Sequence, residues 1–507
     1  MVPPLPKKSL VLLTSLLWLS ACQTTHTVTL VGMADYHSHA LPLYSEGEPG
    51  QGGVARAMAY LRAAKAKPDT LVISGGDTVN QGVPTWSDVY GCVEWPWFNG
   101  VVDVMALGNH DLDYGAEAFA RCRASIAYPV LCANLVGGDG KSYFQVDGKP
   151  YVVREVGGQR LGFFALAGED MQHLVKPEHL PPGTHWTDAT EAARSVVEAL
   201  RLREHVDAVI LIGHQAREAD AALARAVPGI DVILGSHSHQ KEELRKLPGT
   251  ETYTLSPYQY LTYLSEVRLR FRAGKLAGVD GGLVKMDASR PEDSRTAAEV
   301  ARLQAALKAD RPERFVEVGR LAAPLRDDGV TTREAEVGTW ATEVWRRAVG
   351  AHAFFATAST FRAGLPAGPV AAEDFFGAFP YRNKLVTAEM TGAQLQAWVE
   401  LSESKRGTDA YSQYSGVRYT RHAGRVEGLR VLMNPALPEA GDEPVVPERV
   451  YRVATTDFQA FVAAGYKDAW ARASSPQRTE WDSQSLLEGA LCADKPGARG
   501  VGTPTGP

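Results

Sequence analysis

The chain has 507 residues, 45% hydrophobic and 22% charged, with a formal net charge of −6 at pH 7. This is the balance of a soluble, globular chain. Both signs are interspersed, which leaves no basic footprint for a nucleic-acid polymer. The length exceeds one usual hydrophobic core and predicts two domains, with no internal repeat or heptad run.

Lys7 and Lys8 form a positive segment ahead of a short apolar run over residues 10–19. The run is too short for a comfortable bilayer span. Leu19-Ser20-Ala21-Cys22 follows and resembles the lipobox of bacterial lipoproteins. The resemblance implies a signal peptide over residues 1–21, cleavage before Cys22 and lipidation of its sulfur. Gln23 replaces the Asp that retains such proteins in an inner membrane, so the expected site is the outer membrane or cell surface, facing the periplasm. The other reading is an ordinary secretory signal with a chance cysteine. Export permits disulfides. Cys92, Cys122, Cys132 and Cys492 allow three pairings, and their spacing does not choose among them.

In chain order, residues 27–33 are β-branched and alternate as a strand, ending at Asp35-Tyr36-His37-Ser38-His39. Gly52-Gly53 opens an amphipathic helix to about residue 67. A second strand over residues 70–74 ends in Gly75-Gly76-Asp77. A third over residues 101–107 ends in Gly108-Asn109-His110-Asp111-Leu112-Asp113. Residues 208–212 end in Gly213-His214, and residues 232–234 in Gly235-Ser236-His237-Ser238-His239. Ligands bind at the carboxyl ends of strands in open α/β sheets. Six of the chain's 13 histidines lie in these five turns, which is not the scatter of structural histidines.

Asp35, His37, Asp77, Asn109, His214, His237 and His239 offer seven oxygen or nitrogen ligands. One ion takes four to six, so seven ligands with a shared carboxylate suit two ions about 3.5–4 Å apart. Imidazole with carboxylate favours Mn, Zn, Fe or Co over Ca or Mg. Asp77 is the natural bridge. His110, oriented by Asp113, is left to stabilise a phosphoryl oxygen or protonate a leaving alkoxide, with a metal-bridging hydroxide as nucleophile.

The order Asp-x-His, Gly-Asp, Gly-Asn-His-Asp, Gly-His and Gly-Ser-His-x-His resembles that of the calcineurin-like metallophosphatases. Gly52-Gly53-Val54-Ala55-Arg56 and residues 109–113 are similar to the 5′-nucleotidase and UDP-sugar hydrolase branch. The resemblance implies one metal on Asp35, His37, Asp77 and His239, and the other on Asp77, Asn109, His214 and His237. It implies a catalytic dyad of His110 and Asp113. The implied fold class is α/β, a four-layer αββα sandwich over residues 27–290 followed by an α+β domain. His39 is expected beside the ligands or facing solvent rather than among them.

Residues 291–314 are expected to form a linker helix, with a peripheral helix of the first domain as the other reading. Residues 315–490 carry stretches similar to the 5′-nucleotidase C-terminal, nucleotide-binding domain, among them Phe379-Pro380-Tyr381-Arg382-Asn383 and Gln413-Tyr414-Ser415-Gly416. By resemblance, Tyr411 or Tyr414 stacks with Phe458 on a base, and Arg362, Arg382 and Asn383 bind the rest of the substrate. The family's Gly-Gly before the arginine is here Thr360-Phe361, so a changed pocket wall is expected. A family Asp near the base has become Ala464. Residues 491–507 read as a disordered tail.

The expected function is dimetal hydrolysis of nucleotide phosphoesters. The alternatives are a 2′,3′-cyclic nucleotide phosphodiesterase or 3′-nucleotidase, a thiosulfohydrolase-like enzyme, and an anchored ligand-binding protein.

Overall fold

A computed structural model describes residues 25–422, 424–433 and 441–493. The expected signal peptide over residues 1–21, the lipidation site Cys22 and the tail beyond residue 493 lie outside the described residues. Among the described residues, no helix is long and apolar enough to cross a membrane.

Two sheets stack in the first domain. The first runs in the order His185–Trp186, Val130–Val136, Val104–Ala106, Thr70–Ser74, Thr25–Met33, Tyr263–Arg272 and Lys275–Lys285, with Ser142–Phe144 paired to Val130–Val136. The second runs Lys241–Lys246, Tyr253–Pro257, Val232–Gly235, Ala208–His214, Gln159–Ala167 and Tyr151–Val156. The central strands of both are parallel. They are buried on both faces, as near-continuous Val, Ile and Leu runs require.

Alternation along Thr25–Met33 shows how the layers form. Val28 and Leu30 face the second sheet, joining Phe163, Ile210 and Leu234 in the inter-sheet core. Val31 and Met33 face outward to helices Val54–Lys65 and Ser294–Asp310. Helix Ala189–Glu198 covers the other outer face through Val196 and Val197. The result is the αββα sandwich expected from the sequence.

Strands Val130–Val136, Gln159–Ala167 and the hairpin Tyr263–Lys285 were not among the sequence expectations. Helix Ser294–Asp310 buries Val300, Leu303 and Leu307 in the first domain's outer core, and Tyr90 donates to the Leu303 carbonyl (2.8 Å). By packing, this helix is part of the first domain's surface layer.

The second domain centres on a five-stranded sheet, Ser412–Ser415, Ala353–Thr357, Val450–Thr456, Lys384–Thr391 and Ser474–Asp482. Helices Glu336–Val349, Gly392–Ser404 and Ser483–Ala493 pack on it. The last helix corrects the expected tail at its start: residues 491–493 are helical, and Leu491 is buried against this core. A disulfide joins Cys92 to Cys122, while Cys132 and Cys492 are free.

Candidate metal centre

Five parallel strands from the two sheets deliver their following turns to one edge of the sandwich. Asp35 and His37 follow Thr25–Met33, Asp77 follows Thr70–Ser74, and Asn109 and His110 follow Val104–Ala106. His214 ends its strand, and His237 and His239 follow Val232–Gly235. Glycine makes the close approach of these turns possible. A Cβ on Gly108 would lie 2.1 Å from Asp77 Oδ1, and Gly76 has φ +87° with its Cβ direction blocked by the Gly108 backbone at 2.7 Å. Asp35, His37, Asp77, His237 and His239 all have left-handed backbone, with φ between 47° and 69°. Short polar side chains tolerate that region better than most residues do.

Asp35, His37, Asp77 and His239 bring one ligand atom each within 4.8 Å of one another, and Asp77, His214 and His237 do the same. Asp77 is common to both clusters. Asn109 Oδ1 is 3.2 Å from His214 Nε2 and 3.0 Å from His237 Nδ1.

Hydrogen bonds around the clusters fix which imidazole nitrogens face inward. His214 Nδ1–H donates to the Gly75 carbonyl (2.7 Å), turning Nε2 to Asp77 Oδ2 at 3.3 Å. His237 Nε2–H donates to Asp170 (2.8 Å), turning Nδ1 inward. Asp77 Oδ2 is buried without a hydrogen-bond partner and also faces His37 Nε2 at 3.6 Å. His37 Nε2 and His239 Nε2 meet at 2.9 Å. Imidazole nitrogens converging on common points, with an orphaned carboxylate oxygen between them, fit divalent metal ions.

The electrostatics agree. Burial, helped by Arg362, holds His37 and His239 well below the usual imidazole range, in the neutral form that ligates. Burial also opposes charge on His214, yet the Asp77 carboxylate pulls that imidazole up to about 10, so a metal ion there would take the place of the Nε2 proton. The same pull attracts any cation.

His110 stands beside the clusters. Its Nδ1–H donates to Asp113 Oδ2 (2.7 Å), and its backbone N–H donates to Asp77 Oδ1 (2.8 Å). Burial lowers its pKa, but the carboxylates of Asp113 and Asp77 outweigh that and hold it above the ordinary value. His39 is not in either cluster; it bonds the His37 carbonyl and stacks on Tyr260.

Comparison with known proteins is consistent with this geometry. The sequence model of the calcineurin-like phosphoesterases matches residues 28–241, and that of the 5′-nucleotidase C-terminal domain matches residues 317–469. The chain is a calcineurin-like phosphoesterase with a 5′-nucleotidase C-terminal domain. This makes the phosphoesterase a metal-dependent phosphoester hydrolase. It is 24% identical to the protein UshA of Yersinia enterocolitica over 497 residues, which span 87% of this chain and 86% of that one. A 5′-nucleotidase precursor from Thermus thermophilus superposes with a TM-score of 0.70 at 24% identity, covering 92% of this chain and 96% of the other. The sulfate thiohydrolase SoxB of Thermus thermophilus gives 0.68 at 20% identity, with 92% and 94% covered. These two structural likenesses establish the fold alone.

The phosphoesterase has a cavity of about 240 Å³ between its two domains. The metal clusters and the His110–Asp113 pair line one side; Arg362, Asn383 and Phe458 line the other. Three residues expected here from sequence are elsewhere. Arg382 is exposed and bonds Gln484 (2.9 Å). Tyr411 is buried against Arg406, and Tyr414 is turned to Glu334 (2.6 Å) at a separate cavity. Strand register, which the sequence does not fix, decides where these side chains face. Phe361 does not form the wall either. It is buried in the second domain's core, stacked on Trp345, and Ser359 and Thr360 line the cavity instead.

Sequence reasoning missed Asp170, Asp111, Tyr381 and Asp409. The Asp111 carboxylate accepts from the N–H groups of Asp77 (3.1 Å), Thr78 (2.8 Å) and Gly108 (2.9 Å), tying two ligand turns together. Asp170 had a usable signal: it follows strand Gln159–Ala167 within three residues, the same strand-end position as the ligands.

Proposed function

We propose that this chain hydrolyses phosphoesters of nucleotides, using two divalent ions. One ion is held by Asp35, His37, Asp77 and His239, the other by Asp77, Asn109, His214 and His237. The observation that carries this reading is the unpartnered Asp77 Oδ2 shared by two ligand clusters, beside a cavity that reaches Arg362 and Phe458. Bound there, the ions would offset phosphoryl charge and make water nucleophilic at neutral pH.

The chain's own groups do the rest. Asp113 accepts Nδ1–H of His110, which leaves Nε2 to hold the proton delivered to the leaving alkoxide. Arg362, the one Lys or Arg among the described residues lining the cavity, donates to phosphoryl oxygens. Phe458, with Tyr381 in the same cavity, offers an aromatic face for a base. The name 5′-nucleotidase among the relatives supports a nucleotide substrate, whose leaving group is the nucleoside.

The deciding experiment strips the metal, restores manganese and measures hydrolysis of AMP, UDP-glucose, 2′,3′-cyclic AMP and bis-p-nitrophenyl phosphate. AMP turnover supports the nucleotide reading. Turnover of the generic ester alone keeps the metal chemistry and rejects the nucleotide. For localisation we propose export and a lipid anchor on Cys22. Labelling with a fatty acid that persists in a Cys22→Ser variant would reject the anchor.

A further inference from the structure

The cavity is short of positive charge on the side away from the metal clusters. Arg362 is the sole Lys or Arg among the described residues lining it. The second arginine expected there, Arg382, points instead to Gln484. In its place the wall carries a carboxylate, Asp409. This residue precedes strand Ser412–Ser415, and its backbone carbonyl is held by the Ser359 N–H at 2.9 Å. That bond fixes Asp409 beside the segment bearing Ser359, Thr360 and Arg362. Arg362 makes no ion pair with Asp409: its guanidinium donates to His239 Nδ1 at 2.9 Å, and the partner that succeeds His239 is a phosphoryl group at the metal clusters. The electrostatic neighbourhood of Asp409 holds His237 and Arg362 as well as the Asp170 carboxylate that bonds His237.

A scissile phosphoryl group at the metal clusters directs its leaving group along this wall. If the leaving group is an alcohol, it brings hydroxyl donors and no charge, and a carboxylate accepts from hydroxyls well. If the leaving group begins with another phosphate, it brings at least one further negative charge. That charge meets Asp409 at the cavity wall, and no second Lys or Arg among the described residues lines the cavity to answer it.

We propose that Asp409 is a specificity-determining residue that selects phosphomonoesters of hydroxyl-bearing alcohols and rejects substrates whose leaving group is itself a phosphate, including nucleoside diphosphates and nucleotide sugars. This deepens the reading of the cavity as the substrate site and rests on it. Asp409 acts by like-charge repulsion against one substrate class and by hydrogen-bond acceptance from the other.

The test compares kcat/KM for AMP and ADP on the manganese-loaded full chain and its Asp409→Asn variant. Unfolding midpoints are measured on both to confirm equal folding. The native chain is expected to prefer AMP by about a hundredfold. Asp409→Asn is expected to raise kcat/KM for ADP by about tenfold or more and to lower it for AMP. A ratio that Asp409→Asn does not move overturns the proposal, as does a native chain that hydrolyses ADP as well as AMP. The pair p-nitrophenyl phosphate and inorganic pyrophosphate repeats the comparison without a nucleoside. If neither nucleotide is turned over, the nucleotide reading fails and this second pair still decides the role of Asp409 by the same shift in ratio. Should Asp409→Asn unfold, Asp409→Ser serves in its place, with the same shift expected and an unmoved ratio counting against the proposal.

Discussion

Two imidazoles at the centre each carry a bonded carboxylate, and the two pairs have different tasks. Asp170 fixes His237 so that Nδ1 faces the metal cluster, whereas Asp113 holds His110 with its free nitrogen toward the cavity. Asp170→Asn should therefore weaken metal binding about 10–100-fold, read by titrating metal into stripped protein. Asp113→Asn should leave metal content intact and lower kcat about 10²–10⁴-fold. Its pH profile adds a sign. Asp113 favours the charged imidazole, so its loss lowers the His110 pKa, and the alkaline limb of kcat should move to lower pH. A third carboxylate, Glu94, was not singled out in the sequence at all. It is fully buried, accepts from the Tyr36 hydroxyl and from Ser38 Oγ (2.6 Å), and so grips both neighbours of His37. Burial pushes its pKa up to about 7 from an ordinary 4.5. Between those values the folded chain keeps a proton that the unfolded chain has lost. The stability this group contributes is thus full below about pH 4.5 and falls by about 3 kcal/mol as pH rises through 7. In Glu94→Gln, denaturant unfolding across that range should show a flatter pH dependence; an equally steep one would exclude Glu94 as its source.

Strand-end turns were legible because an apolar run followed by Gly and then Asp or His says where the chain must bend and what it offers there. Val104–Ala106 and Val232–Gly235 were readable this way. Tyr411 and Tyr414 were not, since a tyrosine near a strand looks the same whether register turns it to a core, to Glu334 or to a substrate. The disulfide was equally invisible: three pairings satisfied the sequence, and only the fold brings Cys92 to Cys122, 30 residues on. That bond ties the segment bearing Glu94 to helix Gly115–Ala124, which starts just after the His110–Asp113 turn. Paired replacement by serine should cost about 3–4 kcal/mol in denaturant unfolding from loop entropy. A loss well under 1 kcal/mol would mean that packing alone holds the two elements.

At the scale of the molecule, the cavity beside the metal clusters belongs to neither domain alone. Arg362 reaches from the second domain to His239 in the first, and the contact contains a conflict. A neutral imidazole that accepts from Arg362 at Nδ1 must carry its proton on Nε2, and then Nε2 cannot ligate a metal. Arg362 therefore has to leave His239 when that nitrogen takes an ion, and a phosphoryl group is its natural next partner. Arg362→Ala should accordingly have opposite effects on two constants. Metal should bind tighter in calorimetry on stripped protein, and KM for a phosphomonoester should rise at least tenfold. Weaker metal binding in this variant would remove the competition.

The left-handed backbone at five of the seven candidate ligands limits what the loops can become. Asp, Asn and His tolerate that conformation; β-branched and bulky side chains resist it. The backbone thus narrows the mutational routes open to the centre before any metal chemistry is considered. Replacing a ligand with a bulkier donor would disturb coordination and burden the fold at the same position. The donor set is kept in place by conformation as well as by catalysis, so the centre should drift more slowly in evolution than the cavity wall facing it.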